Sequence, residues 1–78
     1  MAHTIIRSVC WQHNLPISQV IGPDRIATRK TIAARQEIAY RLRHEAKVKY
    51  EVIGALCGLT GAGAQMACKA HAKGMVAA

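Results

Sequence analysis

Two short motifs in the sequence contain residue types that bind metal ions. Cys10 is followed three residues later by His13, and Cys68 is followed in the same way by His71. Residues three apart share a helix face, so the two pairs together could supply a tetrahedral Cys2His2 zinc site. Their spacing differs from that of a zinc finger, and all four positions fall on apolar stripes, where cysteine packs as a small hydrophobic residue. We expect core packing and no cofactor, and we keep zinc as the less favoured alternative.

The charged residues indicate a polyanionic partner. Lys and Arg number 11 against 4 Asp and Glu, which gives a net charge of +7 in a chain of 78 residues. Small basic domains of this kind often bind nucleic acid, although a solvated basic surface without a partner is the alternative. A cluster of these charges, Arg25, Arg29 and Lys30, lies in the segment 25–31, which we expect to be a basic loop.

A second group of residues has the pattern of a helix-turn-helix, in which two helices cross through a turn of three to four residues. Gly54 would let the helices approach closely, and Gly58 would take the left-handed conformation of the turn. Leu59 would be the apolar residue of the turn, and Ala64 would face the first helix. An ordinary tight helical hairpin would also select small residues at these positions, so that alternative stays open.

If the second helix of this pair lies in a DNA major groove, its outward positions contact the bases and phosphates. Gln65 could form two hydrogen bonds with an adenine edge, and Ala62 could contact a thymine methyl group. Lys69 is a candidate phosphate contact. The full set expected on this side is Thr60, Gly61, Ala62, Gln65, Met66, Lys69 and Lys73. Because the set contains no arginine, we expect modest sequence specificity, obtained partly from DNA shape.

The apolar periodicity predicts the helices that would position these residues in a single all-α domain, 1–78, with a core over residues 4–73. We expect a first helix over residues 3–14 with Thr4 as its N-cap, and a short helix over 17–21. The main helix is expected over 31–46, followed by helices over 50–57 and 61–73. Gly74 should end the last helix. The tail, residues 74–78, is expected to be flexible.

Residues 34–42, ARQEIAYRL, resemble the long-helix motif in the C-terminal DNA-binding domain of the bacterial replication initiator DnaA. Residues 53–58, IGALCG, are similar to the start of the helix-turn-helix in that family. The similarity extends over residues 5–73. It implies a small helical fold of the DnaA or Trp-repressor type, and a stand-alone regulator from a bacterium or phage.

The chain departs from this family after the turn. The family carries a Gly-Arg-Asp-His-Thr-Thr run there that reads the initiator's own sites, whereas residues 58–63 are GLTGAG. The resemblance therefore implies the scaffold without those base contacts. By position it makes Arg29 or Lys30 the minor-groove residue, and it makes Arg35 and Lys49 candidate phosphate contacts.

The remaining classes of function are less favoured. No nucleophile motif, phosphate-binding loop or carboxylate pair is present, so we expect no enzyme activity. A protein-interaction module is the main alternative, with Trp11, Tyr40 or the C-terminal tail contacting RNA polymerase, another regulator or a second copy.

The odd count of three cysteines favours free thiols and a reducing cytoplasm. No apolar run has the length needed to span a membrane.

Overall fold

The all-α prediction is confirmed. The computed structural model describes residues 1–22 and 24–77, with the backbone alone for residues 75–77, and this part of the chain contains no strand. Five helices follow one another along the chain: α1 (Ala2–Gln12), α2 (Ile17–Val20), α3 (Arg29–His44), α4 (Tyr50–Cys57) and α5 (Gly61–Ala77).

Helix α1 begins earlier than the sequence predicts. The N–H of Ile5 already donates to the carbonyl of Met1 at 3.1 Å. The N-cap is Met1 without a side-chain hydrogen bond, so the prediction of Thr4 as the N-cap is wrong. The helix ends at Gln12 with His13 as its C-cap, and Asn14, the residue after the cap, takes a left-handed φ of 57°. The next N–H, that of Leu15, donates back to the Cys10 carbonyl at 2.9 Å, which closes the helix end in a Schellman arrangement.

Helix α3 begins two residues before the predicted start, because two threonines cap it reciprocally. The Thr28 hydroxyl accepts the Thr31 N–H at 3.1 Å, and the Thr31 hydroxyl accepts the Thr28 N–H at 3.0 Å. Thr31 is fully buried, and its hydroxyl also donates to the carbonyl of Ile26 at 2.7 Å. The predicted basic loop over residues 25–31 is therefore wrong in its second half, since Arg29 and Lys30 belong to the first turn of α3.

Helices α4 and α5 have the bounds expected at the turn between them, and α5 continues beyond its expected end. The prediction that Gly74 terminates α5 is wrong, because the helix passes through Gly74 to Ala77. A glycine ends a helix by taking the left-handed conformation, and among the described glycines only Gly58 does so. Ala78, the last residue of the expected flexible tail, lies outside the described residues.

The core lies around α3, which packs against each of the other four helices. All five helices contribute side chains to it, and the cysteines take part as small apolar groups. The buried hydrophobic residues are Ile5, Ile6, Val9, Cys10, Val20, Ala34, Ile38, Ala39, Leu42, Ile53, Cys57, Ala64 and Cys68. Helices α4 and α5 also pack directly on one another, so the turn between them is fixed by the core on both sides.

Candidate nucleic-acid interface

The α4–α5 turn depends on a close backbone approach at Gly54. This glycine is buried in α4, and a Cβ atom there would lie 2.6 Å from the carbonyl oxygen of Leu59 and 2.7 Å from that of Thr60. Both atoms belong to the backbone, so no side-chain rearrangement could make room. The close approach of the two helices that the sequence predicts at Gly54 is therefore present.

The turn itself closes in a Schellman arrangement around Gly58. Gly58 has a φ of 72°, as the sequence predicts, and the Leu59 N–H donates to the Gly54 carbonyl at 2.7 Å. Leu59 is half-buried against the core, and Ala64 is completely buried. These residues therefore pack as expected. That the helix pair is a DNA-reading helix-turn-helix stays a prediction.

The outward positions of α5 are open to solvent, as expected. Gln65 is exposed, and Met66 is exposed over 71% of its surface. The same holds for Thr60, Ala62, Lys69 and Lys73, whereas Gly61 is half-buried. The Thr60 hydroxyl accepts the Gly63 N–H at 2.9 Å and thereby caps α5. In this chain Thr60 therefore has a structural role at the helix start, which the sequence pattern did not predict.

Arg25 joins the basic segment to the α4–α5 turn. A Cβ atom on Gly58 would lie 2.8 Å from Nη1 of Arg25 and 2.9 Å from its Cζ, so the guanidinium lies over the turn. The two residues are far apart in sequence, and nothing in the spacing predicts their contact. It places a cation against the turn that precedes α5.

Arg29 and Lys30 are exposed at the N-terminus of α3. The first turn of a helix carries partial positive charge on its free N–H groups, so cations there are unfavourable. The first turn of α3 contains no acidic residue to offset them. These two side chains therefore reduce the stability of the free protein, and an anion bound nearby would remove this cost.

Arg35, a candidate phosphate contact by its position in the sequence, is half-buried. Its Nε donates to the Val20 carbonyl at 2.8 Å, and its Nη2 donates to the Ile26 carbonyl at 3.1 Å. The guanidinium thus ties the end of α2 and the basic segment to α3. The side chain holds the segment in place, and its predicted phosphate contact stays a prediction.

Two charged residues flank the helix pair. Lys49 is exposed at the N-cap of α4, where a phosphate would also meet the free N–H groups of that helix. Glu51 was not expected near the interface, yet its Cγ lies 3.4 Å from the position of a Cβ atom on Gly61. This carboxylate is exposed and favourable at the start of α5, and it lowers the positive potential there.

An apolar groove of about 290 Å³ runs along the flank of α5 facing α3. Ile32 and Gln36 line one wall, and Leu59, Met66 and Ala70 line the other. None of the described residues that line the groove carries a carboxylate or a thiol. It offers space and apolar contact beside the exposed side of α5, without groups for acid–base or nucleophilic chemistry.

The four residues of the zinc alternative do not form a site. In the part of the chain that the structure describes, no three potential metal-binding side chains come together. Cys10 and Cys68 are buried in the core, and burial raises the pKa of the Cys10 thiol. His13 Nε2 lies 3.0 Å from Glu37 Oε1, and the His71 ring lies 5.0 Å from that of Tyr40. Each histidine therefore has a packing partner of its own.

Comparison of the chain with family models, with curated proteins and with solved structures finds no match. The resemblance to the DnaA C-terminal domain stays a prediction. Across residues 1–22 and 24–77, no helix combines the length and the hydropathy required to cross a bilayer.

Proposed function

We propose that this chain binds double-stranded DNA and acts as a regulator of transcription or replication in a bacterium or phage. The contact between Arg25 and Gly58 carries the proposal, because it brings the basic segment against the turn that leads into α5. A duplex lying on α5 would meet Arg25 there, with Arg29 and Lys30 following along the chain.

In this proposal, the affinity for DNA comes mainly from the attraction between basic side chains and phosphates. The chain has a net charge of +7, and two of its four carboxylates are paired within the fold, Glu37 with His13 and Glu45 with Arg41. Phosphates neutralised by Arg25, Arg29, Lys30, Lys49, Lys69 and Lys73 would release counterions, so binding should weaken steeply with salt. The unfavourable position of Arg29 and Lys30 on their helix supports a binding role for them, since folding alone would favour neutral or acidic residues.

Base reading in this proposal comes from the middle of α5. Gln65 and Met66 are exposed on neighbouring positions, and Ala62 lies one turn before Met66. An amide can bond an adenine edge, and the apolar groups can contact thymine methyls. This small set would discriminate moderately among sequences. The proposal assigns no catalytic residue and no cofactor, and it places the protein with bacterial or phage DNA in the cytoplasm.

A protein-interaction module on a DnaA-like scaffold is the second candidate function, with RNA polymerase, another regulator or a second copy as partner. The exposure of Trp11 over 79% of its surface favours it, because tryptophan is enriched at the centres of protein interfaces. The two functions use different parts of the molecule. A single chain could therefore have both.

The test is a titration of duplex DNA at two salt concentrations, with random-sequence and selected oligonucleotides. We expect a steep salt slope, with selected sequences bound more tightly. Arg25→Ala should weaken binding to all duplexes and lower the slope by about 0.9, the contribution of one phosphate contact. Arg7→Ala removes the same charge from the outward side of α1 and should leave the slope unchanged. Absence of binding at low salt would reject the proposal.

A further inference from the structure

Trp11 is the most exposed large hydrophobic side chain on α1, and the helix that carries it is packed against the core. It is exposed over 79% of its surface, while its neighbour Cys10 is exposed over only 1%. Helix α1 is fixed to the core by Ile5, Ile6 and Val9. The indole is therefore exposed on a well-packed helix. Because this helix is already ordered, less conformational entropy is lost when a partner binds.

Two shallow depressions are lined in part by Trp11. One, of about 450 Å³, is formed along α1 by Thr4, Arg7, Ser8 and Trp11. The other, of about 330 Å³, lies where α1 ends and is formed by Cys10, Trp11, Asn14, Leu15 and Pro16. We call the two together the Trp11 surface. An apolar side chain of a peptide could enter either depression and contact Trp11.

The charged residues of this region favour an acidic partner. No acidic residue occurs in residues 1–22, whereas His3 and Arg7 are exposed on α1. Arg7 forms no hydrogen bond or ion pair with any of the described residues, so its guanidinium is available for a carboxylate. The indole N–H of Trp11 is a second donor suited to a carboxylate.

We infer that the Trp11 surface is a docking site for an acidic peptide segment of a partner protein, with an apolar side chain of that segment packed against the indole. Trp and Arg are the residue types that most often dominate binding energy at protein interfaces. A second copy of this chain fits poorly, because it would bring another +7 charge and few free carboxylates to the contact.

The surface shares no residue with the proposed DNA interface. The DNA candidates lie in the basic segment, in α3, at the start of α4 and in α5, and none of them lies on α1. DNA and the acidic partner could thus be held at the same time, each by its own cations. The inference does not depend on DNA binding, and one can fail without the other.

The test uses Trp11 as its own reporter, because it is the single tryptophan of the chain. The full chain is titrated with short synthetic peptides in which Leu or Phe anchors alternate with Asp and Glu. Matched peptides carry Lys in place of the acids, or Ser in place of the anchors. We expect the acidic anchored peptides to bind and to shift Trp11 emission to shorter wavelength, while the matched peptides do neither.

Variants assign the binding to this surface, with affinity followed by the anisotropy of a labelled peptide. Trp11→Ala should weaken binding by at least about tenfold, as for a central interface tryptophan. Arg7→Ala should also weaken it, whereas Arg25→Ala should not. Val52→Ala, an exposed aliphatic position on α4, is the matched control for loss of apolar surface and should have no effect.

Four results would overturn the inference. The first is that no acidic anchored peptide binds, and the second is that binding persists in Trp11→Ala. The third is a shift of Trp11 emission by duplex DNA instead of peptide, which would assign the surface to nucleic acid. The fourth is a shift that depends on protein concentration alone, which would assign it to a second copy of the chain.

Discussion

Gly54 and Thr60 approach each other so closely that a Cβ atom on Gly54 would lie 2.7 Å from the Thr60 carbonyl oxygen. This approach sets the position of α5 relative to α4, because Thr60 caps α5 with its hydroxyl. The start of the proposed DNA-reading helix is therefore positioned by a backbone contact that tolerates no side chain.

Gly54→Ala should lower the free energy of unfolding by about 1–3 kcal/mol, the usual cost of an overpacked site. Gly74→Ala is the matched control, since a Cβ atom there meets none of the described atoms within 4 Å. In a helix it should raise stability by about 0.5–1 kcal/mol. Urea unfolding followed by circular dichroism measures both, and equal effects of the two substitutions would contradict the close approach.

Replacing both Arg29 and Lys30 by alanine should make the free protein more stable and its DNA binding weaker. Each cation at the N-terminus of α3 costs about 0.3–1 kcal/mol at low salt, so their removal should raise the free energy of unfolding. The same change should reduce affinity for all duplexes and lower the salt slope. Urea unfolding and duplex titration on the same variant measure the two effects.

Lys69→Ala is the control for that experiment, because Lys69 lies in the middle of α5, away from a helix N-terminus. It should weaken DNA binding without the gain in stability. If the double variant binds DNA as the parent does, Arg29 and Lys30 do not belong to the interface.

Gln65→Ala should change sequence preference more than overall affinity. An amide bonded to an adenine edge supplies about 1–3 kcal/mol of discrimination, and alanine supplies none of it. Selection from randomised duplexes, carried out on both proteins, measures the preference at each position. Lys69→Ala is the contrasting control, because it should reduce affinity equally for all sequences. If Gln65→Ala also reduced affinity equally for all sequences, Gln65 would not read a base.

Glu51→Gln should strengthen DNA binding several-fold. The carboxylate lies beside the start of α5, and a charge a few ångströms from a phosphate opposes binding by about 0.5–1 kcal/mol in water. Glu45→Gln removes the same charge at the C-terminal end of α3, opposite to the end that carries Arg29 and Lys30, and serves as the control. Duplex titration at low salt compares them, and equal gains would mean that net charge alone decides affinity.

Stability should fall as the pH rises above 9, partly through Cys57. Burial raises the pKa of this thiol from 9.0 to about 11, so between these values the unfolded state has lost a proton that the native state keeps. Loss of that proton favours unfolding, with a slope of at most about 1.4 kcal/mol per pH unit. Urea unfolding on either side of pH 9 measures the slope, and Cys57→Ala should make it smaller. An unchanged slope in that variant would assign the effect to other groups.

Local patterns in the sequence predicted the α4–α5 turn well. Gly58 is a left-handed glycine after an apolar run, and such a residue marks a helix end reliably. The start of α3 was missed because its cap consists of two threonines, Thr28 and Thr31, instead of the usual threonine and glutamate. The end of α5 was wrongly predicted at Gly74. The sequence shows only that a glycine is present, and it does not show whether that glycine keeps helical geometry or ends the helix.

In the candidate site, the sequence predicted only the exposure of residues whose position follows from the helical repeat. The exposure of Gln65 and Met66 follows from the buried position of Ala64 and Cys68 on the same helix. The contacts of Arg25 and Arg35 were not predictable, because each depends on where a separate element ends in space. Arg35 bonds the carbonyl at the end of α2, and Arg25 lies over the turn after α4.

The central position of α3 has a consequence for the order in which the chain folds during synthesis. While only α1 and α2 have left the ribosome, their apolar residues lack the helix that covers them in the finished protein. Once His44 has emerged, α1, α2 and α3 can collapse together, and α4 and α5 then add to a surface that already exists. Because each step joins helices that are near neighbours along the chain, the nascent protein should spend little time with its apolar residues exposed to chaperones.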